Sequence, residues 1–185
     1  MKRFVFILVG LFTFFVVNAQ KGPMMFSGIP MNQKYSSFIQ ALKQKGFNDN
    51  VEQVEWGFAP GYKFITLEGK FWHFDKCEIR VMYSEETDSI ASVGVKKNYF
   101  STWHDKVFEL MNNLDLKYGE RNKLKESVKR SEYRWFSKDT LGMVEVNWIM
   151  DSLIDQFWVI YYTPEYTKIV LQKELNDKIS ELEEL

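Results

Sequence analysis

The sequence is short of cysteine, since Cys77 is the only one among 185 residues. A single cysteine excludes an intramolecular disulfide, so the fold has to rest on its hydrophobic core. An excess of one charge is also missing, because 24 Lys and Arg face 25 Asp and Glu, for a net charge of −1. This balance argues against a surface that binds nucleic acid through its phosphates. Aromatic residues are plentiful, at 17% of the chain, and can build a large core or a binding face.

Motifs with a known chemical mechanism are missing as well. The chain has no G-x-S-x-G, no glycine-rich phosphate loop, no H-E-x-x-H and no C-x-x-C. We therefore predict no catalytic residue, no metal and no cofactor, in a protein that is not an enzyme.

Two other constellations remain as alternatives. His73, Asp75 and Cys77 alternate and could bind zinc from one side of an unbroken strand, but a turn at Asp75-Lys76 would separate them. We expect Cys77 to be a small buried residue, and His104 to be a surface histidine near a helix start. A hydrolase that uses two glutamates is a further alternative. The glutamates in strand-like segments are Glu52, Glu55, Glu68, Glu78 and Glu145. Alternation assigns them instead to the solvent side of their strands.

The first 19 residues are typical of a secretory signal peptide. Lys2 and Arg3 precede an apolar run over Phe4–Val17, and small residues lie before the expected cleavage at Gln20. We predict that residues 20–185, a mature chain of 166 residues (185 − 19), form one exported domain, periplasmic or extracellular. No transmembrane segment is predicted after cleavage, and an uncleaved N-terminal anchor is the alternative.

Apolar periodicity predicts an α+β fold of two helix–antiparallel-sheet repeats, with the helices on one face of the sheet. Repeat one spans about 26–98, repeat two about 99–163, and an amphipathic C-terminal helix over 164–183 follows. The expected elements are a helix over Asn32–Lys45, strands over Val51–Phe58, Tyr62–Glu68, Lys70–Phe74, Cys77–Tyr83 and Ala91–Val95, a helix capped by Ser101 or Thr102 and ending at Gly119, a loop or ragged strand over Arg121–Arg130, and strands over Ser131–Phe136, Met143–Met150 and Ile154–Thr163.

The repeat is visible as two hairpins with matching alternation. In the first strand the offset is 65 (144 − 79), and it relates Ile79, Val81 and Tyr83 to Val144, Val146 and Trp148. In the second strand the offset is 64 (157 − 93), and it relates Val93, Val95 and Lys97 to Phe157, Val159 and Tyr161. Two ordinary hairpins can share such alternation by chance, which is the alternative interpretation.

Several short motifs resemble a group of exported bacterial proteins of unknown function, with the likeness running from about Phe26 to Tyr162. They are Phe26-Ser-Gly-Ile-Pro, Leu42-x-x-Lys45-Gly46-Phe47, Gly69-Lys-Phe, Asp75-Lys-Cys-Glu-Ile, Val93-Gly-Val and Lys117-Tyr-Gly119. The helix-then-sheet plan also resembles the fold of beta-lactamase-inhibitor proteins and small outer-membrane-assembly lipoproteins, although the lipoprotein cysteine is absent. These resemblances imply a binding or accessory role and no catalytic residues.

The two faces of the predicted sheet differ in composition. The face under the helices is expected to carry Cys77, Ile79, Val81, Ala91, Val93, Val144, Val146, Trp148, Phe157, Val159 and Tyr161. The opposite face mixes charges with large apolar groups: Glu78, Arg80, Met82, Ser92, Lys96, Glu145, Asn147, Ile149, Trp158, Ile160 and Tyr162. Such a face is either covered by the C-terminal helix or used to bind something.

We predict a non-enzymatic binding protein that uses the mixed face against a protein partner. Trp158 and Tyr162 are the expected aromatic anchors, Arg80 the polar residue that orients the partner, and Asn147 a further contact. The alternative is a glycan- or small-ligand-binding module, in which Trp72 joins Trp158 and Tyr162 in stacking on the ligand. A carboxylate-based hydrolase is the remaining option.

Overall fold

A computed structural model gives the structure of residues 23–49, 61–100, 104–127, 129–138, 141–150 and 154–183. These residues form three helices: α1 (Tyr35–Gln44), α2 (His104–Tyr118) and α3 (Pro164–Glu183). They also form ten strands: β1 (Met25–Phe26), β2 (Ile29–Pro30), β3 (Asn48–Asp49), β4 (Tyr62–Phe71), β5 (Phe74–Ser84), β6 (Ser89–Phe100), β7 (Asn122–Glu126), β8 (Arg130–Phe136), β9 (Met143–Ile149) and β10 (Ile154–Tyr162). The predicted strand at Val51–Phe58 and the predicted cap at Ser101 or Thr102 lie outside the described residues.

Eight strands form one antiparallel sheet in the order β3-β4-β5-β6-β10-β9-β8-β7, and β1 pairs with β2 in a small separate sheet. The order is symmetric about its centre. One helix and four strands lie on one side, and their counterparts in the second half of the chain lie on the other. The predicted α+β fold of two helix–antiparallel-sheet repeats, with a C-terminal helix added, is therefore confirmed.

The register at the centre of the sheet carries the same symmetry. Val95 on β6 pairs with Val159 on β10, its predicted counterpart at an offset of 64. In the β5–β6 hairpin Ile79 pairs with Val95, and in the β9–β10 hairpin Val146 pairs with Val159. Ile79 therefore corresponds to Val146. The predicted offset of 65 for the first strand is corrected to 67 (146 − 79). Because side chains alternate with a period of two, a shift of two residues leaves Ile79, Val81 and Tyr83 on their predicted face.

The core lies between α1 and α2 and the sheet face beneath them, which we name the first face. Phe38 and Leu42 of α1 and Val107 and Met111 of α2 are buried against it. The strands contribute Leu67, Cys77, Ile79, Val81, Val93, Val95, Val144, Val146, Trp148, Phe157, Val159 and Tyr161 to the same cluster. Cys77 is a small buried residue, as predicted.

The end of α1 follows the predicted motif. Gly46 has a φ of 88°, its amide donates to the carbonyl of Lys43 at 3.0 Å, and the Phe47 amide donates to the carbonyl of Leu42 at 3.2 Å. These two bonds define a Schellman ending. This helix end places the Phe47 ring against the backbone of Gly69. At Gly69 a shift in register interrupts the β4–β5 pairing.

Two local predictions are wrong. Ala91 does not share the first face, because the β5–β6 register shifts between Met82 and Tyr83 and leaves Ala91 unopposed, packed with Met82 and Tyr166 on the other side. The turn expected at Asp75-Lys76 lies instead at Trp72-His73, since β4 continues to Phe71 and β5 begins at Phe74. Trp72 takes a φ of 53° in this tight turn.

No helix among the described residues is both long enough and apolar enough to cross a membrane. The 20-residue α3 has the length, but it carries charged residues along most of its course.

Gly69→Ala is expected to destabilise the fold. A Cβ at position 69 lies 2.2 Å from Cδ1 of the buried Phe47 ring, so the ring has to move. Overpacking of this kind costs roughly 1–3 kcal/mol, which lowers the melting temperature by about 3–10 °C. Gly94→Ala is the matched control, because its Cβ meets nothing closer than 3.9 Å. Equal melting temperatures for the two variants would contradict the close approach.

Candidate functional site

The sheet face opposite the core, which we name the second face, is covered by α3 at one end. The Tyr166 and Val170 side chains of α3 pack on an apolar cluster of this face, whose other members are Tyr62, Phe64, Met82, Ala91 and Tyr162. The direction of α3 is fixed at its start, where Thr163 donates through both its amide and its hydroxyl to the carbonyl of Ala91. Of the two alternatives for this face, the helix cover thus applies at the Tyr162 end.

Arg134 on β8 fixes α3 further along. Its guanidinium donates to both carboxylate oxygens of Glu174 on α3, at 2.9 and 2.6 Å, and to Glu145 on β9 at 2.8 Å. Arg134 is only 5% exposed. Burial by itself lowers its pKa, but the bonds to Glu174 and Glu145 outweigh burial and raise the pKa of Arg134 above its usual range. A buried cation with two carboxylate partners makes the position of α3 specific.

Trp158 lies at the centre of the remaining part of the second face. Its ring centroid is 4.9 Å from Cζ of Arg80 and 5.1 Å from Nζ of Lys96, so two cations lie against one indole. Its Nε1 donates to Oε1 of Gln156 at 2.8 Å. On the sheet, Trp158 pairs with Lys96 on one side and with Asn147 on the other. We name these five residues, Arg80, Lys96, Asn147, Gln156 and Trp158, the Trp158 patch.

Gly94 explains how Arg80 reaches Trp158 across the intervening strand. Arg80 on β5 pairs with Gly94 on β6, which in turn pairs with Ile160 on β10. A glycine at this position places no side chain between Arg80 and β10. Neither backbone conformation nor local crowding demands glycine here, since an added Cβ finds its nearest neighbours at 3.9 Å. The gap lets the guanidinium lie along the sheet, where its Nε also pairs with Glu78.

The structure brings three of the four predicted binding residues together. Trp158 and Arg80 are in contact, and Asn147 is opposite Trp158, with its amide donating to Glu145 at 2.9 Å. Tyr162 lies four residues further along β10, beneath α3, with its ring 6.1 Å from that of Tyr166. Burial raises the pKa of Tyr162 well above its usual range. We therefore leave Tyr162 out of the Trp158 patch.

Trp72 does not join Trp158 on the second face. It lies in the β4–β5 turn, packs against the main core and contacts His73 and Phe74. The predicted platform of Trp72, Trp158 and Tyr162 is thus dispersed over three separate places. Glu78 and Glu145, two of the carboxylates considered for hydrolysis, are each paired with an arginine.

His104 is the first residue of α2 and its side chain is 36% exposed, in line with its prediction as a surface histidine near a helix start, but it also has a buried partner. Its Nε2 pairs with Asp155 of β10, a carboxylate that is only 1% exposed, and its ring lies 5.2 Å from that of Trp148. The sequence contained a signal for this pair. Asp155 alternates with Phe157, Val159 and Tyr161, so it falls on the buried face, and a buried carboxylate requires a partner.

No group of three His, Cys, Asp or Glu side chains that could hold a metal ion occurs within the described ranges. His73 and Asp75 are exposed, whereas Cys77 is buried. Comparisons with protein-family models, with curated proteins and with solved structures found no match to this chain. The resemblance to exported bacterial proteins therefore stays a prediction.

The Arg134–Glu174 pair predicts a pH dependence of stability. Hydrogen bonds from Arg134 hold the pKa of Glu174 below its ordinary value of 4.5. A carboxyl with a lower pKa in the folded chain stabilises the fold while it is ionised, and this contribution is lost as the pH falls below that ordinary value. At pH 7, Glu174→Gln should cost about 1 kcal/mol and lower the melting temperature by about 2–4 °C. The gap to the wild type should narrow as the pH falls below 4.5.

Glu181→Gln is the control for Glu174→Gln, since Glu181 is an exposed glutamate of the same helix. Equal melting temperatures for wild type and Glu174→Gln at pH 7 would show that the ion pair contributes nothing to holding α3. A gap that stays constant as the pH falls below 4.5 would show that the charge of Glu174 is not its cause.

His104→Ala is expected to destabilise the protein, because it removes a partner of the buried Asp155. Removing a partner from a buried charged group costs roughly 1–3 kcal/mol, or about 3–10 °C in melting temperature. The control is Glu109→Ala on an exposed position of α2, which should change the melting temperature by less than about 2 °C. If both variants melt with the wild type, the pair does not stabilise the fold.

Proposed function

We propose that this chain is an exported, non-enzymatic binding protein, and that its Trp158 patch binds a protein partner. The observation that carries the proposal is a tryptophan on a sheet face, with the cations of Arg80 and Lys96 on its ring, beyond the end that α3 covers. Export rests on the signal-like residues 1–19, which lie outside the described residues.

The composition of the Trp158 patch supports a protein partner. Trp and Arg are the residues most enriched among those that dominate binding energy in protein interfaces. Here the side-chain amides of Asn147 and Gln156 lie beside the indole, and the Gln156 carbonyl oxygen accepts a hydrogen bond from Nε1 of Trp158. The patch lies on the strands of a sheet, and extended surfaces are typical of protein–protein contacts, whereas small ligands favour concave sites.

The carboxylates on the second face support a role without catalysis. Glu78 is paired with Arg80, and Glu145 with Arg134 and Asn147. A hydrolytic pair needs one carboxyl that gives up a proton and one that stays ionised, and here each carboxylate already accepts a hydrogen bond from an arginine.

The proposal is tested by photo-crosslinking in cells that naturally produce the chain. A benzophenone amino acid replaces Asn98, an exposed residue that pairs with Gln156 at the edge of the patch, and in a control chain it replaces Glu109 on α2. We expect a protein adduct from position 98 and none from position 109. Adding Trp158→Ala or Arg80→Ala should reduce the adduct at least about tenfold, because truncation of a hot-spot residue costs 2 kcal/mol or more.

Thermal melts of the same variants separate binding from folding. Arg80→Ala should melt within about 2 °C of the wild type, since its side chain is partly exposed and belongs to a surface ion pair. An adduct that persists in both variants, or that disappears only in proportion to a lowered melting temperature, would exclude the Trp158 patch as the binding surface.

A further inference from the structure

The cover that α3 gives to the second face is narrow. Between residues 164 and 181, only Tyr166 and Thr167 are buried, while Pro164, Val170 and Glu174 are half-buried and all other side chains are exposed. The helix therefore holds the sheet along one side of its first turns and nowhere beyond them. Elements with few buried apolar contacts are the least stable parts of a fold, and they can open while the rest of the chain stays folded.

The ion pair at Glu174 can break without leaving a buried charge alone. The Arg134 guanidinium donates to Glu145 on β9 at 2.8 Å as well as to Glu174 on α3 at 2.6 Å. When α3 lifts, Arg134 keeps Glu145 as its carboxylate partner. Glu174, whose side chain is already 43% exposed, passes into water. Opening of α3 therefore avoids the large cost of an unpaired charge inside the protein.

The start of α3 is suited to act as a hinge. The amide and the hydroxyl of Thr163 both donate to the carbonyl of Ala91, at 3.0 and 3.1 Å. These bonds lie before the first helical residue, so they can persist when the helix moves. Pro164 has no amide hydrogen, so no hydrogen bond from this residue has to break. A rotation beside Thr163 can thus move α3 as one body while its start stays tied to β6.

We propose that α3 is a strap that opens about Thr163 while the sheet stays folded, and that it then uncovers an aromatic strip next to the Trp158 patch. The side chains that α3 covers are Tyr62, Phe64, Met82, Ala91 and Tyr162. Along β10, Trp158, Ile160 and Tyr162 alternate on the second face, so the strip continues the patch without a break. The position of α3 therefore decides how much aromatic surface this face presents for contacts.

Thiol labelling of the chain that starts at Gln20 tests the strap. Met82→Cys places a thiol beneath α3, where the native side chain is 3% exposed, and the native Cys77 in the core, 0% exposed, is the internal control. Mass spectrometry then follows the two positions separately. We expect position 82 to label at least about tenfold faster than Cys77, because opening of α3 requires less free energy than unfolding of the sheet. Ala91→Cys, where the native side chain is 4% exposed, is a second reporter beneath α3 in case Met82→Cys unfolds the chain.

Two further substitutions distinguish opening of α3 from unfolding of the sheet. Glu174→Gln removes the charge that holds α3, so it should speed labelling at position 82 by about fivefold. Gly69→Ala overpacks the core under the first face. It should speed labelling of Cys77 at least about fivefold and leave position 82 nearly unchanged. Glu181→Gln, on an exposed part of α3, is the control and should change neither rate.

Three results would overturn the proposal. Equal labelling rates at positions 77 and 82 would mean that α3 leaves the sheet only when the whole chain unfolds. A rate at position 82 that rises with Gly69→Ala as much as that of Cys77 would mean the same. A rate at position 82 that does not respond to Glu174→Gln would mean that the thiol is reached without release of α3. Each result is obtained on the purified chain, so it stands whether or not the Trp158 patch binds a partner.

Discussion

The pairing of β6 with β10 is the constraint on which the rest of the structure depends. It joins two repeats, each with one helix, into a single sheet and a single core. Val95 and Val159 pair at the joint, and both side chains point under the helices. A slip of one residue would turn these valines, and every alternate residue with them, to the second face. The register at the joint therefore decides which face is core and which carries Trp158.

The same pairing of β6 with β10 determines where α3 begins and which part of the second face it covers. The helix begins directly after β10, and Thr163 is bonded to Ala91, so α3 has to start above the Tyr162 end of the central strands. Arg134 then holds Glu174, which directs the helix across the second half of the sheet. Trp158 lies four residues back along β10 from Tyr162, about 13 Å at the rise of an extended strand. Because α3 starts at the Tyr162 end of β10 and crosses towards β8, it covers that end of the second face and not the Trp158 patch.

Much of this architecture could be predicted from the sequence, because it depends on local periodicity. Alternation assigned the two faces correctly except at Ala91. The register shift there depends on the pairing of β6 with β5, so the sequence of β6 alone does not indicate it. Trp158, Arg80 and Asn147 were placed on one face for the same reason. The contacts that matter most between distant residues were missed, namely His104 with Asp155 and Arg134 with Glu174, which are 51 and 40 residues apart. A glutamate suits the polar side of any helix, so the pairing of Glu174 with Arg134 can be recognised only in the folded chain.

The distribution of ion pairs indicates what kind of binding the second face can support. Glu78 is paired with Arg80, Glu132 with Arg130, and Glu145 with Arg134, so these charges largely cancel within the face. The ring of Trp158 and the amides beside it are not engaged in such pairs. Because these charges are already paired within the face, the binding proposed for the Trp158 patch draws on the aromatic area of Trp158 rather than on net charge. The gap at Gly94 is part of the shape of this face, because it leaves room for Arg80 to reach the indole of Trp158 across β6.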